Sequence, residues 1–433
     1  MTSKEIVRRR TQLAEMMGPG TIAIVPAASE RLRNRDVHYP FRQDSDFFYL
    51  TGFPEPDAVA VIAPGRKQGE YVLFCRDRDP EKEVWDGYRA GPEGACRDYG
   101  ADDAFPIEDI DDILPSMLER TERVYYTMGT HGSFDQRLIG WLNRLRQQAR
   151  AGVHIPWELV SLEHLLHEMR LFKGRAELSL MRKAGKLAAR THRQAMQRCR
   201  PGMFEYELAA EYTYEFAKQG CEHAYPPIVG AGGNGCVLHY IENSSQMKDG
   251  ELVLVDAGAE LNHYASDITR TFPVGGRFSD VQRAVYEIVL AAQQAAIDAV
   301  VPGCNWNQPH EAAVQVLCQG LVDLGVLKAP VEQVIESQAY RRYYMHRTGH
   351  WLGMDVHDVG DYKVGDQWRA LEPGMVLTVE PGLYLRASDD LDPKWHNIGI
   401  RIEDDVLVTR NGPEVLTRDA PKSIVEIESV MAR

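Results

Sequence analysis

Short apolar runs recur along this chain between turn residues, and they alternate with longer stretches whose apolar positions return every three or four residues. The short runs predict buried strands over residues 21–25, 58–62, 71–75 and 124–127. The longer periodicity predicts helices over 7–17, 134–149, 161–172, 176–198, 205–218 and 311–324, with Pro201-Gly202 separating the fourth from the fifth. Strands alternating with helices in the first part imply an α/β class and a small three-layer domain. A chain of 433 residues is longer than one ordinary core serves. The stretch 151–159, with Pro156, reads as a linker, giving domains 1–160 and 161–433.

Two apolar runs differ from the rest because each ends in an acid. Leu252-Val253-Leu254-Val255 leads into Asp256-Ala257-Gly258, and Val376-Leu377-Thr378-Val379 leads into Glu380-Pro381-Gly382. The segments align without a gap: Gly250 matches Gly374, Asp256 matches Glu380, and Gly258 matches Gly382. This predicts an internal repeat whose pseudo-twofold axis brings the two acids together. Each half then offers a second acid, Asp267 and Glu403. Around Glu403 the period is two, so Ile398, Ile400 and Ile402 face one way while Gly399, Arg401 and Glu403 face the other. Arg401 is therefore expected to help hold Glu403 ionised. His350, in a Gly-rich segment, supplies the nitrogen.

Taken singly, these residues have ordinary readings. Asp256 would be a turn or cap residue, Glu403 a solvated strand acid, and His350 a hydrogen-bonded structural histidine. The repeat changes that. Apolar surroundings have no use for a lone charge, and several converging carboxylates require a cation between them. Asp256, Asp267, His350, Glu380 and Glu403 together read as a two-metal hydrolase centre. The oxygen-rich donor set suits hard or borderline divalent ions, Mn²⁺ before a thiolate-loving metal.

Composition narrows the class. Hydrophobic residues make up 44% and charged residues 26%, as in soluble globular proteins. A net charge of −14 argues against nucleic acid as a partner. The charged start lacks the apolar segment of a secretory signal, and no run is of membrane-spanning length. Arg8, Arg9 and Arg10 give the start a presequence-like character, but Glu5 and Glu15 oppose it. Seven cysteines with no C-x-x-C pair suit reduced thiols in a cytoplasmic protein. Cys236, close to His239, reads as packing rather than as a nucleophile.

Longer stretches resemble aminopeptidase P, the Xaa-Pro aminopeptidases, within the larger group of methionine aminopeptidase, prolidase and creatinase. They include Asp267-Ile268-Thr269-Arg270-Thr271, His346-Arg347-Thr348-Gly349-His350-Trp351-Leu352-Gly353, His357-Asp358-Val359-Gly360, Thr378-Val379-Glu380-Pro381-Gly382 and, near the start, Tyr39-Pro40-Phe41-Arg42-Gln43-Asp44-Ser45-Asp46. The resemblance covers nearly the whole chain and is nearest to the bacterial enzyme. It implies a pita-bread fold for the second domain and two divalent ions. Asp256 would hold one ion, His350 and Glu380 the other, with Asp267 and Glu403 as bridges. It also implies Glu380 as proton shuttle, His239 near the scissile bond, His357 against the substrate or its developing oxyanion, and His346 in the proline pocket. Arg401 and Tyr384 match a pair linked to an N-terminal acid, here Asp36. Trp85 matches a residue that reaches a neighbouring subunit's site, so a dimer or tetramer is implied. The substrate would be a peptide with proline second. Prolidase, restricted to dipeptides, is the nearest rival, and a non-catalytic pita-bread interaction protein is the rival of another class.

Overall fold

The computed structural model describes residues 3–432. Its contacts divide the chain into two compact units, one running through Met169 and the other beginning at Arg170.

The first unit is built on a six-stranded sheet in the order Asp103–Pro106, Tyr71–Cys75, Val59–Ile62, Thr21–Pro26, Arg123–Tyr125, Glu158–Val160. The three middle strands are antiparallel and the outer ones join in parallel. Consecutive residues Ile22, Ala23 and Ile24 are all at most 1% exposed, so both sheet faces are covered and the unit has three layers. Helices Ile110–Leu118 and Gly132–Gln147 bring Leu114, Leu138 and Trp141 to one face. The expected linker is only partly one. Its end is the strand Glu158–Val160, drawn into the sheet where the Trp157 N–H donates to Glu122 O at 2.8 Å. The division between units lies further on, inside the helix Glu163–Leu171.

The second unit carries the repeat. In its first half Leu252–Asp256 lies between Ile228–Ala231 and Thr269–Pro273, antiparallel to both. In its second half Val376–Val379 pairs antiparallel with Asp404–Thr409, and Gly382–Leu385 pairs with Ile398–Arg401. In each half the strand ending in the first acid is therefore paired with the strand that follows the second acid. Arg270 stitches the halves together. Its Nη2 donates to Asp404 Oδ1 at 2.7 Å, both side chains being fully buried, and its Nε donates to Pro421 O at 3.0 Å. Ile398, Ile400 and Ile402 sit in the apolar core, as the period-two pattern requires.

Helices Arg175–Arg198, Glu205–Lys218, Asp280–Asp298 and Gln308–Asp323 supply apolar faces to the same core. Asp280–Asp298 is not among the helices that the apolar period predicts. Its start carries a capping box in which Ser279 and Gln282 satisfy each other's backbone N–H groups, a signal that was legible.

Candidate metal centre

The repeat explains how the acids meet. Gly258 and Gly382 stand at equivalent turns, and neither has room for a side chain. A Cβ on Gly258 would lie 1.7 Å from Ser266 O, and one on Gly382 would lie 2.8 Å from Ile400 O. Each turn is thereby pressed against the segment that leads into its half's second acid. Asp256, Asp267, His350, Glu380 and Glu403 line one cavity of about 360 Å³, with His239, His346, His357 and Arg401 in the same wall.

Asp267, His350 and Glu403 form the tightest donor set, each offering a ligand atom within 4.8 Å of the others. His350 Nε2 stands 3.5 Å from Asp267 Oδ2 and 3.7 Å from Glu380 Oε1. It is aimed there because its Nδ1 donates to Trp351 O at 2.9 Å. Asp256 is otherwise engaged: Arg401 Nη2 donates to its Oδ2 at 2.5 Å and the Tyr225 hydroxyl to its Oδ1 at 2.5 Å. Tyr225 also reaches Asp267 Oδ1 at 2.5 Å, so one phenol links two acids of the set.

The electrostatics show a surplus of negative charge. Burial, opposed by His350 and Arg401 and reinforced by Asp267 and Asp256, pushes the Glu380 carboxyl up to about 7. Burial and the neighbouring acids hold Glu403 well above the usual carboxylate range, and burial raises Asp256 as well. His350 is up at about 9: burial opposes its charge, but Asp267 and Glu380 outweigh burial. Glu380, Glu403 and Asp256 resist ionising together, while Asp267 is held down by His350, which itself attracts a proton; such a donor set suits a cation. Divalent ions fit it, because a metal can replace the His350 proton and allow the acids to ionise together.

Arg401 favours the ionised form of Glu403, as expected, although burial and the other acids outweigh it. Its direct partner is Asp256. It reaches Glu403 through Thr269, whose Oγ1 accepts from Arg401 Nε at 3.0 Å and donates to Glu403 Oε2 at 2.6 Å. Arg401 also donates to the Tyr384 hydroxyl at 3.1 Å, which lies 2.8 Å from His346 Nε2. Burial, with Arg401 nearby, lowers His346 to about 3, so its ring is neutral: Nδ1 donates to Arg347 O at 2.7 Å and Nε2 accepts from Tyr384. His239 and His357 are exposed on the cavity wall. Cys236 is buried with Ile228, Leu254 and Tyr384, and burial pushes its thiol up to about 12, so it is no nucleophile. Trp85 lies in the first unit, 87% exposed on the helix Pro80–Asp86, and Asp36 is exposed in the same unit. The acidic loop 388–392 is tied down by Arg342, whose Nη2 donates to Ser388 Oγ at 2.9 Å and to Asp390 Oδ1 at 2.5 Å.

Tyr225, Thr269 and Asp405 were not foreseen as parts of this centre. Asp405 accepts the Asp267 N–H at 3.2 Å. Thr269 was within reach of the period-two pattern, standing two residues after Asp267 on one strand face. Nothing local marks Tyr225.

An α/β chain whose internally repeated half gathers acids and an imidazole into a cation-seeking pocket is of the metallopeptidase class. Residues 179–410 match metallopeptidase family M24, and residues 6–125 match the aminopeptidase P N-terminal domain. The chain belongs to the M24 metallopeptidases, in the aminopeptidase P branch. It is 43% identical to the Xaa-Pro aminopeptidase of Escherichia coli K12, covering 100% of this chain and 98% of that one. It is 38% identical to the rat Xaa-Pro aminopeptidase 3 over 92% of this chain and 78% of the relative. Among solved structures, the aminopeptidase PepP of Pseudomonas aeruginosa is 57% identical with a TM-score of 0.99, covering 100% of this chain and 98% of that one. A zinc-substituted E. coli aminopeptidase P in complex with product is 43% identical with a TM-score of 0.97, at the same coverage. The small α/β first domain and the pita-bread second domain that the resemblance implies are the fold of this chain.

Proposed function

We propose that this chain is a metal-dependent aminopeptidase that removes the first residue from peptides with proline second. The observation that carries this is the meeting of Asp256, Asp267, His350, Glu380 and Glu403 in one cavity beside His239, His346 and His357. The names of the full-length relatives support the same reading.

His350 and Glu380 would hold one ion and Asp256 the other, with Asp267 and Glu403 serving both. Two divalent ions, manganese as the native choice, would supply Lewis acidity there. Glu380 is placed to take a proton from an attacking water and to deliver it to the departing proline nitrogen. His357 donates an N–H to the oxygen that gains charge, and His239 holds the scissile amide from the opposite wall. His346, neutral and pinned by Tyr384, shapes the proline pocket, with Arg401 fixing that tyrosine. A proline nitrogen carries no N–H, so a wall shaped to its ring selects bonds that sites expecting that N–H bind poorly. Trp85, exposed as it is, serves a neighbouring copy's site in a dimer or tetramer. Seven free cysteines suit a cytoplasmic setting.

The test is hydrolysis of Arg-Pro-Pro and of Ala-Pro by chelated enzyme before and after reconstitution with Mn²⁺. Metal-dependent release of the first residue of the tripeptide is the expected result. Cleavage of the dipeptide alone makes the chain a prolidase. Cleavage of neither makes it a binding protein on the same fold.

A further inference from the structure

Arg347 directly follows His346 and lines the same cavity as the acids. One of its N–H groups donates to Asn307 Oδ1. The Asn307 amide in turn donates to Glu311 Oε1 at 2.6 Å, so a neutral group stands between this cation and Glu311. The guanidinium carbon lies 4.9 Å from the Trp368 ring centroid, and Lys363 Nζ lies 4.6 Å from the same centroid. Lys363 and Trp368 are directly paired in the hairpin Lys363–Val364/Gln367–Trp368. The foot of that hairpin is fixed at the cavity, where Tyr362 lines the wall and its hydroxyl accepts the Trp351 N–H at 3.3 Å.

Among the described residues neither Arg347 nor Lys363 forms an ion pair, although Asp361 and Asp366 stand on the same hairpin. Packing against an indole explains part of this arrangement, since cations favour the ring face. It does not explain why two cations share one ring while most of the guanidinium fork stays unspent. A chain of net charge −14 with an acidic cavity repels anionic peptides. Two unpaired cations on the rim reverse that field locally, and an arginine fork matches a carboxylate in shape.

We propose that Arg347 and Lys363, braced on Trp368, form a subsite for a carboxylate carried beyond the proline of the substrate. The carboxylate is either an Asp or Glu side chain in the residue after proline or the free C-terminus of a tripeptide. This rests on the aminopeptidase reading above.

The test compares kcat/KM of the manganese-loaded enzyme for three peptides: Ala-Pro-Glu-amide, Ala-Pro-Gln-amide and Ala-Pro-Gln with a free carboxylate. At least one carboxylate-bearing peptide should exceed Ala-Pro-Gln-amide by about two- to fivefold, the scale of a partly exposed charge pair. The gain should lie in KM and shrink with added salt. Arg347→Gln should bring the ratio to about one and Arg347→Lys should keep part of it. Lys363→Gln, on an exposed hairpin, should lower the ratio independently and serves if Arg347→Gln fails to fold. An advantage confined to the Glu peptide assigns the side chain as ligand, and one confined to the free acid assigns the C-terminus. Equal rates for all three peptides, or a ratio unchanged by the Gln variants, overturns the subsite. Cleavage of none of them overturns the aminopeptidase reading itself.

Discussion

The rings of His350 and His357 meet edge to face, with centroids 4.3 Å apart and planes at 68°. They lie seven positions apart, and the loop between them folds back so that one ring faces the acids while the other stays open to the cavity. Burial lowers the His357 pKa and His350 lowers it further, which keeps the outer ring neutral near pH 7. A neutral ring with one N–H can serve an oxyanion without competing for a metal. His357→Ala is therefore expected to reduce kcat by about 10²- to 10³-fold with metal content unchanged. Loss of metal from this variant, measured by atomic absorption, would make His357 a ligand instead.

Asp267 and Glu403 stand in the tightest donor set and come from different halves of the repeat. Replacing either by Ala should remove several kcal/mol of transition-state stabilisation, at least about a hundredfold in kcat/KM. Bound metal per chain should fall in parallel. Near-normal turnover in either variant would sink the shared-metal assignment.

Asp358 holds the loop that carries both histidines. Its carboxylate accepts from Arg170 Nη2 at 2.6 Å and from Lys173 Nζ at 2.9 Å, with all three side chains at most 3% exposed. Asp358→Ala leaves the buried Lys173 ammonium without an acid while Arg170 keeps Asp355 at 2.7 Å, and removing one partner of such a cluster costs about 3–5 kcal/mol. The denaturant midpoint of the C-terminal unit should drop accordingly, and amide exchange should quicken across the loop. Asp358→Asn should be milder, because it retains the shape and one acceptor.

His192 predicts the direction of a pH effect on stability. It is fully buried between the Ala257 carbonyl at 3.2 Å and the Tyr212 hydroxyl at 2.9 Å. Burial, aided by Arg270, lowers its pKa to about 3 from the ordinary 6.5. The unfolded chain therefore takes up a proton between pH 6.5 and 3 that the folded chain refuses. Its contribution is complete above about pH 6.5 and declines as pH falls, by about 2 kcal/mol at pH 5. Urea unfolding of wild type and His192→Gln at pH 7.5 and pH 5 checks this: the wild type should lose more stability on acidification than the variant. Equal losses would show that another group governs the acid limb.

What the sequence determined by itself was whatever depends on near neighbours along the chain. Strand and helix periods, the repeated acid–Gly turns at Asp256 and Glu380, and the alternation that sends Ile400 inward and Arg401 to the cavity are all local patterns. The family motifs are local too, so the four acids and the imidazole that line the cavity were legible before any coordinate. The tertiary structure decided which of these groups touch. Tyr225 bridges Asp256 and Asp267, Thr269 stands between Arg401 and Glu403, and Arg270 locks onto Asp404 across the two halves. It also turned Arg401 toward Asp256 and brought Lys363 and Arg347 to one indole. These contacts join residues far apart in the chain, and short-range patterning carries no record of them. A buried hydrogen bond or ion pair depends on the distance and dielectric that folding creates, and neither exists until the halves have closed on each other.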